Sequence, residues 1–271
     1  MKDLRKLALP YKWVMIFLVA IPIMIMIFLS LTSTQGIDLV NAKFTFNNFK
    51  KLGESIYLDA VVNSIVLSSI ATLICLLIGY PIAYIIANLK SKKKWLILVL
   101  LICPMWSNML LRVIAWEQLF KPNSLLNAVG ISLDLLGTKT AIVIGMVSIY
   151  LPFMIFPIYT TLEKMDKSLI EASKDLGANA FQVFTKVVFP LSLGGVASGI
   201  LMTLLPSATA FALPQRLGGG NVLLIGNVIE NLFKKVFNYN LGSLLSLFVI
   251  TIIFASMGIF NKGDEDGGML I

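Results

Sequence analysis

The sequence predicts an all-α, polytopic membrane protein with six transmembrane helices. Hydrophobic residues make up 58% of the 271 residues and charged residues only 13%, against roughly 25% charged in an ordinary soluble domain. A bilayer core of about 30 Å needs around 20 helical residues, and six uncharged apolar runs approach or exceed that length. The runs are continuous, as in IPIMIMIFLSL at 21–31, whereas a membrane barrel requires short alternating strands.

The first run, Trp13 to Leu31, follows the basic start MKDLRKLALPYK. Its apolar length exceeds a signal-peptide core and no A-x-A site follows, so a retained helix over about 13–32 is expected. The second run, Ala60 to Leu89, stops at the lysine cluster KSKKK of 90–94. The third is Trp95 to Leu111, and the fourth, Thr140 to Leu162, contains Pro152 and Pro157. The fifth, Val187 to Gln215, contains Gly195 and Gly199 at GxxxG spacing, then Pro206. Small residues at that spacing let helix backbones approach closely. Prolines free carbonyls that need another donor, which suits helices around a cavity, although any one of them also fits a kink with only a packing role. The sixth run, Val236 to Asn261, leads to an acidic, glycine-rich tail, GDEDGGMLI, expected to be solvated.

Lysines and arginines set the expected orientation. With the N-terminus inside, Lys2, Arg5, Lys6, Lys12, the 90–94 cluster, and Lys164, Lys167, Lys174 and Lys186 all fall on the cytoplasmic side. Fewer fall outside, among them Lys43, Lys50 and Lys51. This bias places both termini in the cytoplasm. The net charge of +8 is thereby explained by topology and anionic lipid, and nucleic acid is not an expected partner. There is no histidine, which removes the commonest general base and metal ligand. No phosphate-cradling G-x-x-x-x-G-K-[ST] loop, HExxH or GxSxG occurs, and Cys75 and Cys103 read as small apolar residues within spans. The chain is expected to be a transport subunit and not an enzyme, with no catalytic residues, no metal and no cofactor of its own.

Between the fourth and fifth runs lies EASKDLGANAFQVFTKVVFP, residues 171–190. Leu169, Ala172, Leu176, Ala180, Phe184 and Val187 recur at spacings of three and four, an amphipathic helical pattern that Gly177 divides into two short helices. The apolar face can pack on the chain's own helix ends, lie in the lipid interface or take a partner surface, and periodicity leaves these open.

The segment also reads E-A-S-x3-G-x9-V-x-F-P, with Glu171, Ala172, Ser173, Gly177 and Pro190 at the positions of E-A-A-x3-G-x9-I-x-L-P. It resembles the cytoplasmic signature loop of permease subunits of bacterial ABC importers. The departures, Ser for Ala, Val for Ile and Phe for Leu, are conservative. GYPIAYIIANL at 79–89, PMWSNMLLRVIAW at 104–116, LPFMIFPIYTTLEKMDKSLIEASKDLGAN at 151–179 and LLIGNVI at 223–229 are similar to the spermidine/putrescine permeases of that family. The resemblance implies a type I ABC importer transmembrane domain as a single permease domain over 1–271. Its core would span about 58–261, with a coupling loop over about 163–190. It further implies a second homologous permease, two copies of an ATP-binding subunit that hold ATP and Mg, and an extracytoplasmic substrate-binding protein. In that family the loop docks on the ATPase, and Glu171 and Gly177 are the positions most tied to docking.

A polyamine asks for carboxylates and aromatic faces. Glu117 beside Trp116, with Trp106 further inward and Asp59 at the outer start of the second run, are the candidate pathway residues. Taken separately, each of these residues fits somewhat better as an interfacial anchor or a solvent-wet carboxylate. The same architecture could serve iron, sulfate or a phosphonate, and a passive channel or membrane scaffold is the reading from a different class.

Overall fold

The computed structural model describes residues 2–33, 42–91, 93–122, 124 and 134–267. The helices in chain order are α1 (Lys2–Ser30), α2 (Asn47–Lys51), α3 (Ser55–Asn88), α4 (Lys94–Trp106), α5 (Met109–Leu119), α6 (Lys139–Lys164), α7 (Lys167–Asp175) and α8 (Ala180–Val183). A π-helical turn over Phe184–Val188 then leads into α9 (Phe189–Ala208), α10 (Ala212–Leu217), α11 (Ile225–Lys234) and α12 (Tyr239–Gly267). Among the described residues the only β pairing is a single bridge between Thr32 and Phe44.

Among the described residues, four helical stretches are long and apolar enough to cross a membrane unbroken: Trp13–Ser30, Ser55–Asn88, Lys139–Lys164 and Ala180–Ala208. The predicted third span, Trp95 to Leu111, is not one helix. α4 and α5 meet at 89°, and the 13 residues of α4 rise only about 20 Å. Pro104 stands in the last turn of α4, where its carbonyl accepts the backbone N–H (3.3 Å) and the hydroxyl (2.7 Å) of Ser107. Asn108 then starts a new helix by accepting the Leu110 N–H at 2.8 Å, an N-cap that fixes the turn. The sixth run is helical from Tyr239, and its described apolar stretch, Tyr239–Ala255, is shorter than the others. The predicted fifth run is also divided, since α9 stops at Ala208 and α10 holds Pro214 and Gln215. α12 continues to Gly267, into the acidic tail, and residues 268–271 lie outside the described residues.

The chain forms two compact units, Met1–Asp59 with Val228–Ser256, and Ala60–Asn227 with Met257–Ile271. In the first unit, the end of α1 is held by two asparagine side chains. Asn48 donates to the carbonyls of Ser30 (3.0 Å) and Thr32 (2.9 Å), and Asn240 to those of Leu29 (2.8 Å) and Thr32 (2.7 Å). These bonds satisfy carbonyls that a helix C-terminus leaves without internal partners. Both asparagines are buried, where an unmet amide or carbonyl would be costly.

The second unit is organised around α6, whose apolar span is 61% buried. One half of α6 (Ala141, Ile142, Met146, Ile149, Tyr150) packs with Leu67 and Ala71 of α3, Val113 of α5 and Leu213 and Leu217 of α10. The other half (Met154, Ile155, Ile158, Leu162) packs with Cys75, Tyr80, Ala83 and Ala87 of α3 and Val196 of α9. Gly195 and Gly199 make the close approach of α9 to α6 possible. A Cβ on Gly195 would lie 2.5 Å from the Thr161 hydroxyl and 2.9 Å from the Pro157 carbonyl, and one on Gly199 would lie 2.8 Å from the Met154 sulfur. Pro152 and Pro157 are accommodated within the continuous α6, and Pro206 within α9.

Candidate functional site: the 163–190 loop and the elements it grips

The loop begins where α6 ends. Met165 leaves the helix with ψ 134, and the Asp166 carboxylate accepts the Ser168 N–H at 2.9 Å to start α7. This hydrogen bond from the Ser168 backbone, followed by one from its side chain, holds the Asp166 carboxyl below its ordinary value, since both favour the charged form. α7 stops in a Schellman geometry. Gly177 has φ +83, its N–H donates to Lys174 at 2.9 Å, and the Ala178 N–H donates to Ser173 at 3.1 Å, the paired bonds of that cap. Two residues on, Asn179 and Gln182 form a reciprocal capping box that opens α8, each side chain bonding the other's backbone N–H at 2.9 Å. Stop and restart signals set back to back turn the chain between two helices.

Beyond α8 the chain continues through the π-helical turn into α9, so the second loop helix and the span form one stretch, Ala180–Ala208. Pro190 stands in the first turn of α9. It has no N–H to offer the preceding turn, and the wider π turn lies directly N-terminal to it.

The loop's apolar residues do not share one face. Leu176 is 89% exposed, Phe181 75% and Leu169 47%, and Ala172, Ala180 and the Glu171 carboxylate are exposed with them. Ile170, Ala178, Val183 and Val188 instead pack into the core with α3 and α6. Phe184 and Val187, expected on the face of Leu169 and Leu176, are half-buried. Phe184 meets Tyr80 and Tyr84 of α3 edge-on, both at 5.9 Å between ring centres. Phe189 lies 5.8 Å from Tyr80, and the Tyr80 hydroxyl hydrogen-bonds the Ser192 hydroxyl at 2.8 Å. The loop therefore presents one set of side chains to solvent and grips α3 with another. Sequence reasoning missed this aromatic grip, although Tyr80 and Tyr84 stand one turn apart in GYPIAYIIANL.

A polar tie closes the root of the loop. Lys94, the first residue of α4, forms an ion pair with Glu163 near the end of α6, donates to the Ala87 carbonyl of α3 at 3.0 Å, and lies 5.5 Å from the Tyr159 ring centre. One ammonium thus joins α3, α4 and α6 beside α7.

The candidate pathway residues are distributed differently. Glu117 is 15% exposed and paired with Lys121 at 3.2 Å and Arg216 at 3.4 Å, so its charge is already balanced twice. Trp116 packs against Phe120 at 5.3 Å. Trp106, expected further inward along the same helix, is the last residue of α4, across the bend, and is 88% exposed. Asp59 is exposed and belongs to the first unit.

This helical arrangement is shared with transmembrane components of ABC transporters. A bacterial importer of the acidic polysaccharide alginate aligns over 96% of this chain and 95% of its own, with TM-score 0.75 at 15% identity. The methionine transporter MetNI, in inward-facing conformations, aligns over 78% of this chain and 95% of its own, with TM-score 0.62 at 13% identity. The chain belongs to the family of binding-protein-dependent transport system inner membrane components, whose model matches residues 79–263. It is 37% identical over 265 residues to the spermidine/putrescine transport system permease protein PotB of Haemophilus influenzae, covering 95% of this chain and 92% of that protein. It is 34% identical over 252 residues to PotB of Escherichia coli K12, covering 90% and 91%. The chain is accordingly a multi-pass membrane subunit of a transport system and not an enzyme.

Proposed function

We propose that this chain is the permease subunit of an ATP-driven importer of spermidine and putrescine. It would pair with a second homologous permease, bind two copies of an ATP-binding subunit and receive cargo from an extracytoplasmic binding protein. The cargo assignment rests on the relatives at 37% and 34% identity, both named for spermidine/putrescine transport. The coupling assignment rests on one observation above all: the 163–190 loop has a solvent-facing side of Leu169, Glu171, Leu176 and Phe181 and an inward side locked to α3 through Phe184.

The mechanism follows from that two-sidedness. ATP and Mg reside on the ATP-binding subunits, and this chain supplies no cofactor. Closure of those subunits displaces α7 and α8 through the exposed side chains. The displacement passes into α9 without a hinge, because α8, the π turn and α9 are continuous. It passes into α3 through the Phe184, Tyr80 and Tyr84 rings, and towards α6 and α4 through Glu163 and Lys94. Packed helices joined this way shift between discrete arrangements instead of bending gradually, which is what alternating access to a central pathway requires. Both termini lie in the cytoplasm in this reading, on the side of the lysine-rich segments.

The test is reconstitution of the permease with its neighbouring subunits in liposomes, measuring ATP-driven uptake of labelled spermidine and putrescine against sulfate and iron. Polyamine uptake that stops without ATP is expected. Uptake of an anion and no polyamine would overturn the cargo assignment, and flux that persists without ATP would overturn the importer mechanism.

A further inference from the structure

The segment that follows the first span carries three exposed aromatic side chains. Phe44 is 77% exposed, Phe46 75% and Phe49 43%, and they are interleaved with the exposed Lys43, Lys50 and Lys51. The segment is rigidly seated. The Ser33 N–H donates to the Lys43 carbonyl and the Thr45 N–H to the Leu31 carbonyl, both at 2.9 Å, and the buried Asn48 amide grips Ser30 and Thr32. Phe44 consequently sits at the level of the last turn of α1, where its ring meets Phe28 edge-on at 6.3 Å. Phe46 and Phe49 lie tilted at 45° with ring centres 6.1 Å apart, forming a second apolar knob at the start of the short α2.

We propose that residues 43–51 form an interfacial anchor that inserts Phe44, Phe46 and Phe49 into the headgroup–acyl boundary of the leaflet where α1 ends. Depth is the first argument. Phe28 lies inside the apolar span Trp13–Ser30, so a ring against it lies at bilayer depth. Continuity is the second, because the anchor extends the broadly exposed, lipid-compatible surface of α1, whose span is only 11% buried. Charge is the third. The segment 42–51 contains three lysines and no acid, which suits lipid phosphates and leaves a protein covering the phenylalanines to neutralise all three cations. Aromatic rings with flanking lysines at a span end match the physics of interfacial residues. The anchor fixes the depth of α1, because Asn48 transfers the position of the segment directly to the helix terminus.

Spin-label accessibility tests this in the assembled transporter in liposomes. Phe44→Cys, Phe46→Cys and Phe49→Cys are made singly in a Cys75→Ala, Cys103→Ala background, and retained uptake is the check that each labelled protein folds. Labels at all three positions should collide more with dissolved oxygen than with an aqueous nickel reagent, at a depth about 5–10 Å below the phosphates. Free access to the nickel reagent would overturn the proposal by placing the segment in water. Immobile labels shielded from both reagents would overturn it by showing a protein cover, such as the second permease. If labelling abolishes uptake, Phe44→Trp, Phe46→Trp and Phe49→Trp, read by quenching from lipids brominated near the headgroup, decide between the same outcomes.

Discussion

Replacing Gly177 separates the backbone requirement of the loop from its contact with a partner. The residue adopts φ +83, and a Cβ there meets nothing within 4 Å. Within this chain, Gly177→Ala therefore carries only the left-handed backbone penalty, roughly 1–2 kcal/mol, which lowers the population of the bent loop about 5- to 30-fold. Gly177→Asn also adds a Cβ but tolerates that conformation. Gly177→Pro is worse than either, because it fixes φ near about −65° and removes the N–H that donates to Lys174, ending the Schellman cap. The assay is ATP-driven uptake in liposomes, with co-purification of the ATP-binding subunit and membrane insertion measured in parallel. The expected order of uptake is wild type, then Asn, then Ala, then Pro, with insertion unchanged throughout. If Asn loses as much as Pro, the left-handed backbone is not the cause, and a partner pressed against position 177 is. If Pro transports normally, the bend has no role in coupling and the reasoning fails.

Gly195→Leu should force α9 away from Thr161 and Pro157, lowering the thermal stability of the purified permease by about 1–3 kcal/mol, whereas a substitution at the open Gly220, chosen as Gly220→Asn, should leave it nearly unchanged. Arg216→Ala and Lys121→Ala together unmask Glu117; if that carboxylate receives cargo amines, KM for spermidine falls while kcat holds, and an unchanged KM removes Glu117 from the pathway. Asp166 has a lowered carboxyl pKa, so its contribution to α7 is present above the ordinary carboxylate value and is lost as pH falls through the lowered one. Uptake measured between pH 6 and 8 should therefore show no inflection from this group, and Asp166→Ala should weaken binding of the ATP-binding subunit across that whole range.

The loop was the most legible part of the sequence because its signals are local. Gly177 alone divides the pattern into two helices, and the caps at Asp166 and the Asn179/Gln182 pair, though unread in the sequence, act just as locally, within four residues of themselves. The sorting of its apolar residues was not legible. Period gives a face but not what covers it, and the π turn at 184–188 shifts the register of everything beyond it. Hydropathy likewise passed straight over PMWSNMLL, since an apolar run has composition but no direction. The break there is encoded by Pro104 and the cap residue Asn108, which are quiet marks inside a loud pattern. Of the two cations on Glu117, Lys121 is one helical turn away and readable in advance. Arg216 is 99 residues distant, and only folding brings it there.

The Asn240 clamp on α1 has a consequence for how the protein is made. The carbonyls of Leu29 and Thr32 emerge early in synthesis, but the amide that donates to them is encoded 211 and 208 residues later. During translation the first helix therefore waits with only the Asn48 half of the clamp in place, until α12 arrives. A chain released before residue 240 leaves the end of α1 held by Asn48 alone, with the Leu29 carbonyl lacking its side-chain donor.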